Sequence, residues 1–164
     1  MARAFISLGS NLGDREGTLR GALRVLAGSG GVSAVKCSPF YATKPWGYTD
    51  QPDFLNAAAC CETALEPLPL LKLLQGIEQS FHRERHFRYG PRTLDLDLLL
   101  YDARIMESPE LTLPHPRMTQ RAFVLVPLCD LKADLEIPGT GKTAAQHLEA
   151  LSASEKNGVT AYAG

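Results

Sequence analysis

At 164 residues the chain has the length of one ordinary domain, and its 45% hydrophobic content predicts a folded core rather than a disordered segment. A net charge of −1 excludes general affinity for nucleic acid or acidic membranes, and no apolar run approaches the length of a membrane span. The four cysteines, Cys37, Cys60, Cys61 and Cys129, form no C-x-x-C pair and read as core thiols of a reducing compartment. With a strand-like pattern from the first residues and no cleavable signal, the expected location is the cytoplasm.

Residues 3–8 predict a first strand, ended by Gly9, and Gly9-Ser10-Asn11-Leu12-Gly13-Asp14 is turn chemistry. A helix follows over 15–26, with Leu19, Ala22, Leu23 and Leu26 at helical spacing, stopped by the glycines at 28, 30 and 31. Residues 32–41 predict a second strand, broken near Pro39. The stretch 42–53, with two prolines, a glycine and two aspartates, is a long loop of the kind that carries function. A third strand spans 54–63, and Cys60 and Cys61 on it should face opposite ways. A second helix spans 67–81 on the apolar face of Leu70, Leu71, Leu74 and Ile77. A basic connection over 82–92 leads to a fourth strand over 93–101.

The order β-α-β-β-α-β is the signature of a ferredoxin-like α+β layer: an antiparallel sheet with two helices on one face. The remaining third, a C-terminal extension, carries Pro114 and Pro116, an apolar run over 122–128 and a short amphipathic segment over 143–151. The whole chain, 1–164, reads as one domain whose last dozen residues, small and polar, are expected to fray. Pro138-Gly139-Thr140-Gly141-Lys142-Thr143 imitates the end of a phosphate-binding loop. That pattern needs a glycine where Glu136 stands, so the segment reads as a turn into a helix starting near Thr143.

The chemistry concentrates in Arg92-Thr93-Leu94-Asp95-Leu96-Asp97. Two aspartates two apart on a strand leave the same face about 7 Å apart, with Leu94 and Leu96 turned to the core. Their repulsion is roughly 2 kcal/mol at an effective dielectric near 20, so a cation should offset it. Hard carboxylate oxygens suit Mg²⁺, which two carboxylates and substrate phosphates commonly hold. Just upstream, residues 82–92 carry Arg83, Arg85, Arg88 and Arg92 against one acid. Guanidinium groups beside a metal-binding pair are what phosphoryl transfer requires. The alternatives are a solvated basic loop, another Mg²⁺-dependent nucleotide transferase, or a ferredoxin-like RNA-binding module. The last lacks the exposed aromatic pairs such strands carry. His115, between Pro114 and Pro116, is a presented side chain.

Several blocks, in order and over nearly the whole chain, closely resemble the 6-hydroxymethyl-7,8-dihydropterin pyrophosphokinases of folate biosynthesis. They are residues 9–14, Asp50-Gln51-Pro52-Asp53-Phe54-Leu55-Asn56-Ala57, Gly90-Pro91-Arg92-Thr93-Leu94-Asp95-Leu96-Asp97, Leu113-Pro114-His115-Pro116 and residues 121–128. The resemblance implies a ferredoxin-like fold and a reaction in which the pterin hydroxymethyl oxygen attacks the β-phosphorus of ATP and AMP leaves. It implies two Mg²⁺ ions at Asp95 and Asp97, with Arg83 and Arg92 serving the chemical step. For ATP it points to Gln75, Glu78, Arg85, Arg88, Thr112, His115 and Arg121. For the pterin it points to Thr43 and the loop after it with Trp46, to Phe54 and Phe123 as stacking aromatics, and to Asn56 at the ring edge. A polar-edged flat ring suits an aromatic sandwich and an amide that both donates and accepts. The implied partners are small molecules, ATP and the pterin, not nucleic acid or membrane, and the implied state is a monomer. Lys44, Trp46, His82, Tyr89 and Glu110 depart from the family's familiar residues, and the 82–91 loop is one residue shorter than in some relatives.

Overall fold

The computed structural model describes residues 1–11, 13–44, 53–81 and 94–162. Arg83, Arg85, Arg88, Arg92 and Trp46 lie outside them. So do His82 and Tyr89, the loop from 82 to 91, and all but the ends of the loop over 42–53.

The first strand, β1 (Ala2–Ser10), begins one residue earlier than predicted and runs two residues further, past Gly9. Helix α1 (Arg15–Ala27) starts on Asp14, whose carboxylate accepts from the Gly17 N–H at 3.0 Å. The second predicted strand is two: β2 (Val32–Cys37) and β3 (Tyr41–Thr43), both paired to β4 (Phe54–Thr63). The break near Pro39 was expected, since proline cannot donate to a ladder. Ser38 bridges it: its N–H donates to the Ala58 carbonyl at 2.8 Å and its hydroxyl accepts from the Ala58 N–H at 2.9 Å. Helix α2 (Pro67–Phe81) leads to β5 (Asp95–Tyr101).

The sheet order is β5-β1-β4 and then β2 and β3 along the far side of β4, with every pairing antiparallel. This is the ferredoxin-like arrangement the element order predicts. One face, with Ala4, Ile6 and Leu8, Leu55, Ala57 and Ala59, and Leu94, Leu96 and Leu98, packs under Leu19, Ala22 and Leu26 of α1 and Leu70, Leu74 and Ile77 of α2. Cys61 faces this core, where burial raises its thiol pKa to about 11, and Cys60 packs on the opposite side. Cys37 is exposed at the end of β2, so it is not a core thiol.

The extension covers half of the other face. Short strands β6 (Met106–Glu107) and β7 (Thr112–Leu113) pair with each other, and a 3-10 turn over Met118–Gln120 precedes helix α3 (Ala122–Lys132). Val124, Leu125 and Leu128 of α3 meet Phe5, Ala58, Leu99 and Leu100 in a second core. The phosphate-loop imitation is the turn between β8 (Glu136–Ile137) and β9 (Lys142–Thr143). It feeds α4 (Ala144–Glu149), where Thr143 and Gln146 form a reciprocal capping box.

The expectation that the last dozen residues fray is corrected for the ten described. They form α5 (Ala153–Asn157) and β10 (Val159–Ala161), and β10 pairs with β3. Small, polar residues here mark an exposed edge strand and a short surface helix. The outer edge of β3 gives that strand its hydrogen-bond partners.

No described helix is long and apolar enough to cross a membrane.

Candidate active site

Beyond the end of α3 the second face of the sheet is open, and a cavity of about 700 Å³ lies there. Its floor follows from the register. Asp95 of β5, Gly9 of β1, Asn56 of β4 and Tyr41 of β3 stand opposite one another across four strands. One row over, Asp97 faces Ser7, and on the other flank Phe54 faces Thr43. Directly opposed residues share a face, so the aspartate pair and the Asn56 amide look into one space, about 10 Å apart across the central strand.

Gly9 is a position where a side chain would intrude. A Cβ there would lie 3.3 Å from Asn56 Oδ1 and 3.7 Å from the Phe54 ring. Its absence leaves the amide oxygen uncovered. Asn56 is 3% exposed, and its Nδ2 donates to Thr43 Oγ1 at 3.1 Å, which fixes the amide plane and turns Oδ1 toward Gly9. Phe54 and Phe123 both line the cavity, from the sheet and from the first turn of α3.

At the other end, Asp95 and Asp97 are half-buried, alternating with buried Leu94 and Leu96. The local sequence produces this directly: leucines anchor the strand to one core and hold both carboxylates on the opposite face. Arg121, the residue before α3, also lines the cavity and lies over the Phe123 ring, 5.5 Å from its centroid. Burial lowers the Arg121 pKa against the attraction of Asp97, with Arg117 lowering it further. His115 follows a cis Leu113–Pro114 bond, and its N–H donates to the Leu99 carbonyl at 2.9 Å. Burial holds its imidazole pKa below the ordinary value; Asp97 pulls upward, and Arg121 and Arg117 push downward. Both His115 and Arg121 thus lie in the field of Asp97.

Of the residues singled out in the sequence, Thr43, Lys44, Phe54, Asn56, Asp95, Asp97, Arg121 and Phe123 surround the cavity. His115, though influenced by the Asp97 charge, is not among the residues lining it. Thr112 lies on β7. Gln75 and Glu78 sit on α2, packed on the opposite face of the sheet. Glu78 nevertheless reaches the edge of β5, where its carboxylate accepts from the Leu96 N–H at 2.8 Å.

Sequence reasoning missed Ser7 and Gly9 on the floor, Arg117 and Gln120 at the entry to α3, and Ser154, Glu155, Gly158 and Val159 at the far wall. The period-2 alternation of β1 could have put Ser7 and Gly9 beside the aspartates. Nothing local to 154–159 signals a cavity wall.

Among the described residues no group of three or more histidine, cysteine or acidic side chains could cage a metal. Two carboxylates on one face of an open cavity are an oxygen-only donor set. That suits Mg²⁺, which keeps water and substrate phosphates as its remaining ligands.

Comparison with known proteins spans most of the chain. Residues 5–133 match the family model described as 7,8-dihydro-6-hydroxymethylpterin-pyrophosphokinase. The chain is 47% identical over 137 residues to the 2-amino-4-hydroxy-6-hydroxymethyldihydropteridine pyrophosphokinase of Bacillus subtilis, covering 84% of this chain and 82% of that one. It is 46% identical over 140 residues to the protein of the same name in Haemophilus influenzae, covering 85% and 88%. A folic acid synthesis protein of Schizosaccharomyces pombe is 40% identical over 148 residues, which span 90% of this chain but 20% of that protein. Among solved structures, the HPPK-DHPS protein of Plasmodium falciparum superposes over 98% of this chain with a TM-score of 0.72 at 13% identity. This chain spans 47% of that structure, so the likeness concerns the fold of one part of it.

Proposed function

The chain belongs to the 7,8-dihydro-6-hydroxymethylpterin-pyrophosphokinase family, and we propose that the cavity over β1, β4 and β5 is where it joins ATP to the pterin. Its activity is pyrophosphoryl transfer in folate biosynthesis, with ATP as co-substrate. The observation that carries the site assignment is the register row that sets Asp95 and Asn56 on either side of Gly9.

The acceptor half is Thr43, Phe54, Asn56 and Phe123. The two aromatic rings sandwich the pterin, and the Asn56 amide, held by Thr43, matches its polar edge. Trp46, in the loop that follows Thr43, belongs to the same half by resemblance. The donor half is Asp95 and Asp97 with Arg121 and His115, joined by Gln75, Glu78, Thr112, Arg83, Arg85, Arg88 and Arg92 by resemblance. Two Mg²⁺ ions at Asp95 and Asp97 would supply charge neutralisation on the triphosphate. The chain's own groups do the rest. The aromatic walls and Asn56 orient the hydroxymethyl oxygen toward the β-phosphorus. Arg121 offers a cation to the departing AMP phosphate, and Arg83 and Arg92 serve the chemical step. The new bond joins the hydroxymethyl oxygen to the β-phosphorus as its hydroxyl proton is released to solvent, the bond from the β-phosphorus to the α–β bridging oxygen breaks, and AMP leaves with the bridging oxygen.

A monomer of one domain is the simplest reading of a site that can be assembled from β1, β3, β4, β5, α3 and the segment over 154–159. Free thiols support a reducing compartment, the cytoplasm. The test is AMP formation from ATP with and without 6-hydroxymethyl-7,8-dihydropterin and Mg²⁺. AMP that appears only when both are present supports the reading. ADP as product, or turnover indifferent to the pterin, defeats it.

A further inference from the structure

The far wall of the cavity is built by residues beyond 133, where the family match ends. Strand β10 pairs with β3 in the register Val159↔Thr43, Thr160↔Ala42 and Ala161↔Tyr41. The pairing is extended by the Tyr162 N–H, which donates to the Phe40 carbonyl at 3.0 Å. Thr43 in turn faces Phe54. Val159, Thr43 and Phe54 therefore form one row across three strands, with all three side chains on the cavity face and neighbours about 5 Å apart. Val159 is the apolar end of the same floor that offers Thr43 to Asn56. Just before it, α5 is capped by Ser152, whose hydroxyl accepts from the Glu155 N–H at 3.3 Å, and it presents Ser154 and Glu155 at the cavity rim.

Strand β3 is only three residues long, and it carries the hydroxyl that orients Asn56. Without β10 its outer edge would end in unpaired backbone groups and would be free to shift. The C-terminal strand thus does two things at once: it braces β3, and it extends the acceptor floor by one side chain.

We propose that Val159 is a specificity-determining residue of the acceptor half, limiting the length of ring that the floor accepts. This rests on the reading of that half as the pterin site. An apolar, β-branched side chain at the end of the row meets the edge of a flat ring lying over Phe54 and Thr43 and stops anything longer.

The test compares the full chain with Val159→Trp, Val159→Ala and, as a reference, Asn157→Ala, whose side chain is outside the cavity lining. Pterin and ATP are varied separately in the AMP-forming assay, and binding of the pterin is titrated directly. Val159→Trp is expected to raise the pterin KM and Kd by about 10-fold with the ATP KM unchanged. Val159→Ala is expected to improve acceptance of pterins enlarged at the ring edge away from the 6-hydroxymethyl group, and it carries the steric test if the tryptophan variant melts early. Asn157→Ala is expected to change none of these constants. Unchanged pterin and ATP constants in the Val159 variants overturn the inference. Asn56→Ala, run alongside, must weaken the pterin, so that this outcome leaves the acceptor reading standing. A wild-type chain that makes no AMP with the pterin defeats that reading and this inference together.

Discussion

The carboxylate of Glu78, on α2, accepts a hydrogen bond at 2.8 Å from the N–H of Leu96, the residue between Asp95 and Asp97. Strand β5 is the end of the sheet, so alternate N–H groups point away from β1. Glu78 occupies that edge and pins the strand at the midpoint of the aspartate pair. Glu78→Ala is expected to raise the Mg²⁺ concentration for half-maximal rate by about 10-fold, the usual cost of losing a group that orients metal ligands. Stability should fall by only about 1 kcal/mol, since an edge N–H can be rehydrated. Initial rates across a Mg²⁺ titration check this. A raised ATP KM with unchanged Mg²⁺ dependence would instead make Glu78 a direct nucleotide contact.

Asp97→Ala should separate catalysis from folding. Asp97 is half-buried at the cavity, in a row with Ser7, and its neighbours on the strand, not its carboxylate, reach the core. Its removal relieves repulsion from Asp95 and gives up attraction to Arg121, two effects of opposite sign. Turnover is expected to fall by about 10³-fold, as when a preorganised charge on the reacting phosphates is lost. The melting temperature is expected to stay within about 3 °C of wild type. A large drop in melting temperature would make the aspartate structural.

Gly9→Ala adds one carbon where 3.3 Å remains to Asn56 Oδ1. The amide cannot retreat freely, because its nitrogen is tied to Thr43. The expected result is a rise of about 5-fold in the pterin KM, equivalent to about 1 kcal/mol of crowding, with little change in the ATP KM. Isothermal titration of the pterin checks it, and equal losses for both substrates would mean that the strand itself has moved.

Much of this site was legible because strands obey a period of two. Asp95 and Asp97 could be placed on one face, and Cys60 and Cys61 on two, before any coordinates. The break at Pro39 was legible because proline cannot donate, and the turn into a helix near Thr143 because Glu136 stands where a phosphate-binding loop needs glycine. Helix α3 was not. Residues 122–128 are apolar all round, since α3 is buried between the sheet and the extension, and Pro127 removes the remaining helical cue. Strand β10 was illegible for a related reason: an edge strand of three small residues, Val159, Thr160 and Ala161, is too short to show a pattern of its own. Its position comes entirely from the open edge of β3, a tertiary fact. The partnership of Asp95 with Asn56 is likewise a matter of register, 39 residues apart in sequence.

Tyr41 offers a test of the contact that holds β3 to α3. Its hydroxyl donates to the carboxylate of Asp130 near the end of α3. That bond, with burial and the carboxylate charge, raises the phenol pKa to about 12 from an ordinary 10. A raised pKa means the folded state holds its proton more tightly than the unfolded chain. The contact therefore contributes its full stability below pH 10 and loses it as pH rises through 12. Tyr41→Phe is expected to cost about 1 kcal/mol at neutral pH, a loss of about 3 °C in melting temperature. Between pH 10 and 12 the gap between the two proteins should close. A gap that stays constant through that range would mean that the phenylalanine variant fails through packing, and that the hydroxyl does not bind β3 to the helix.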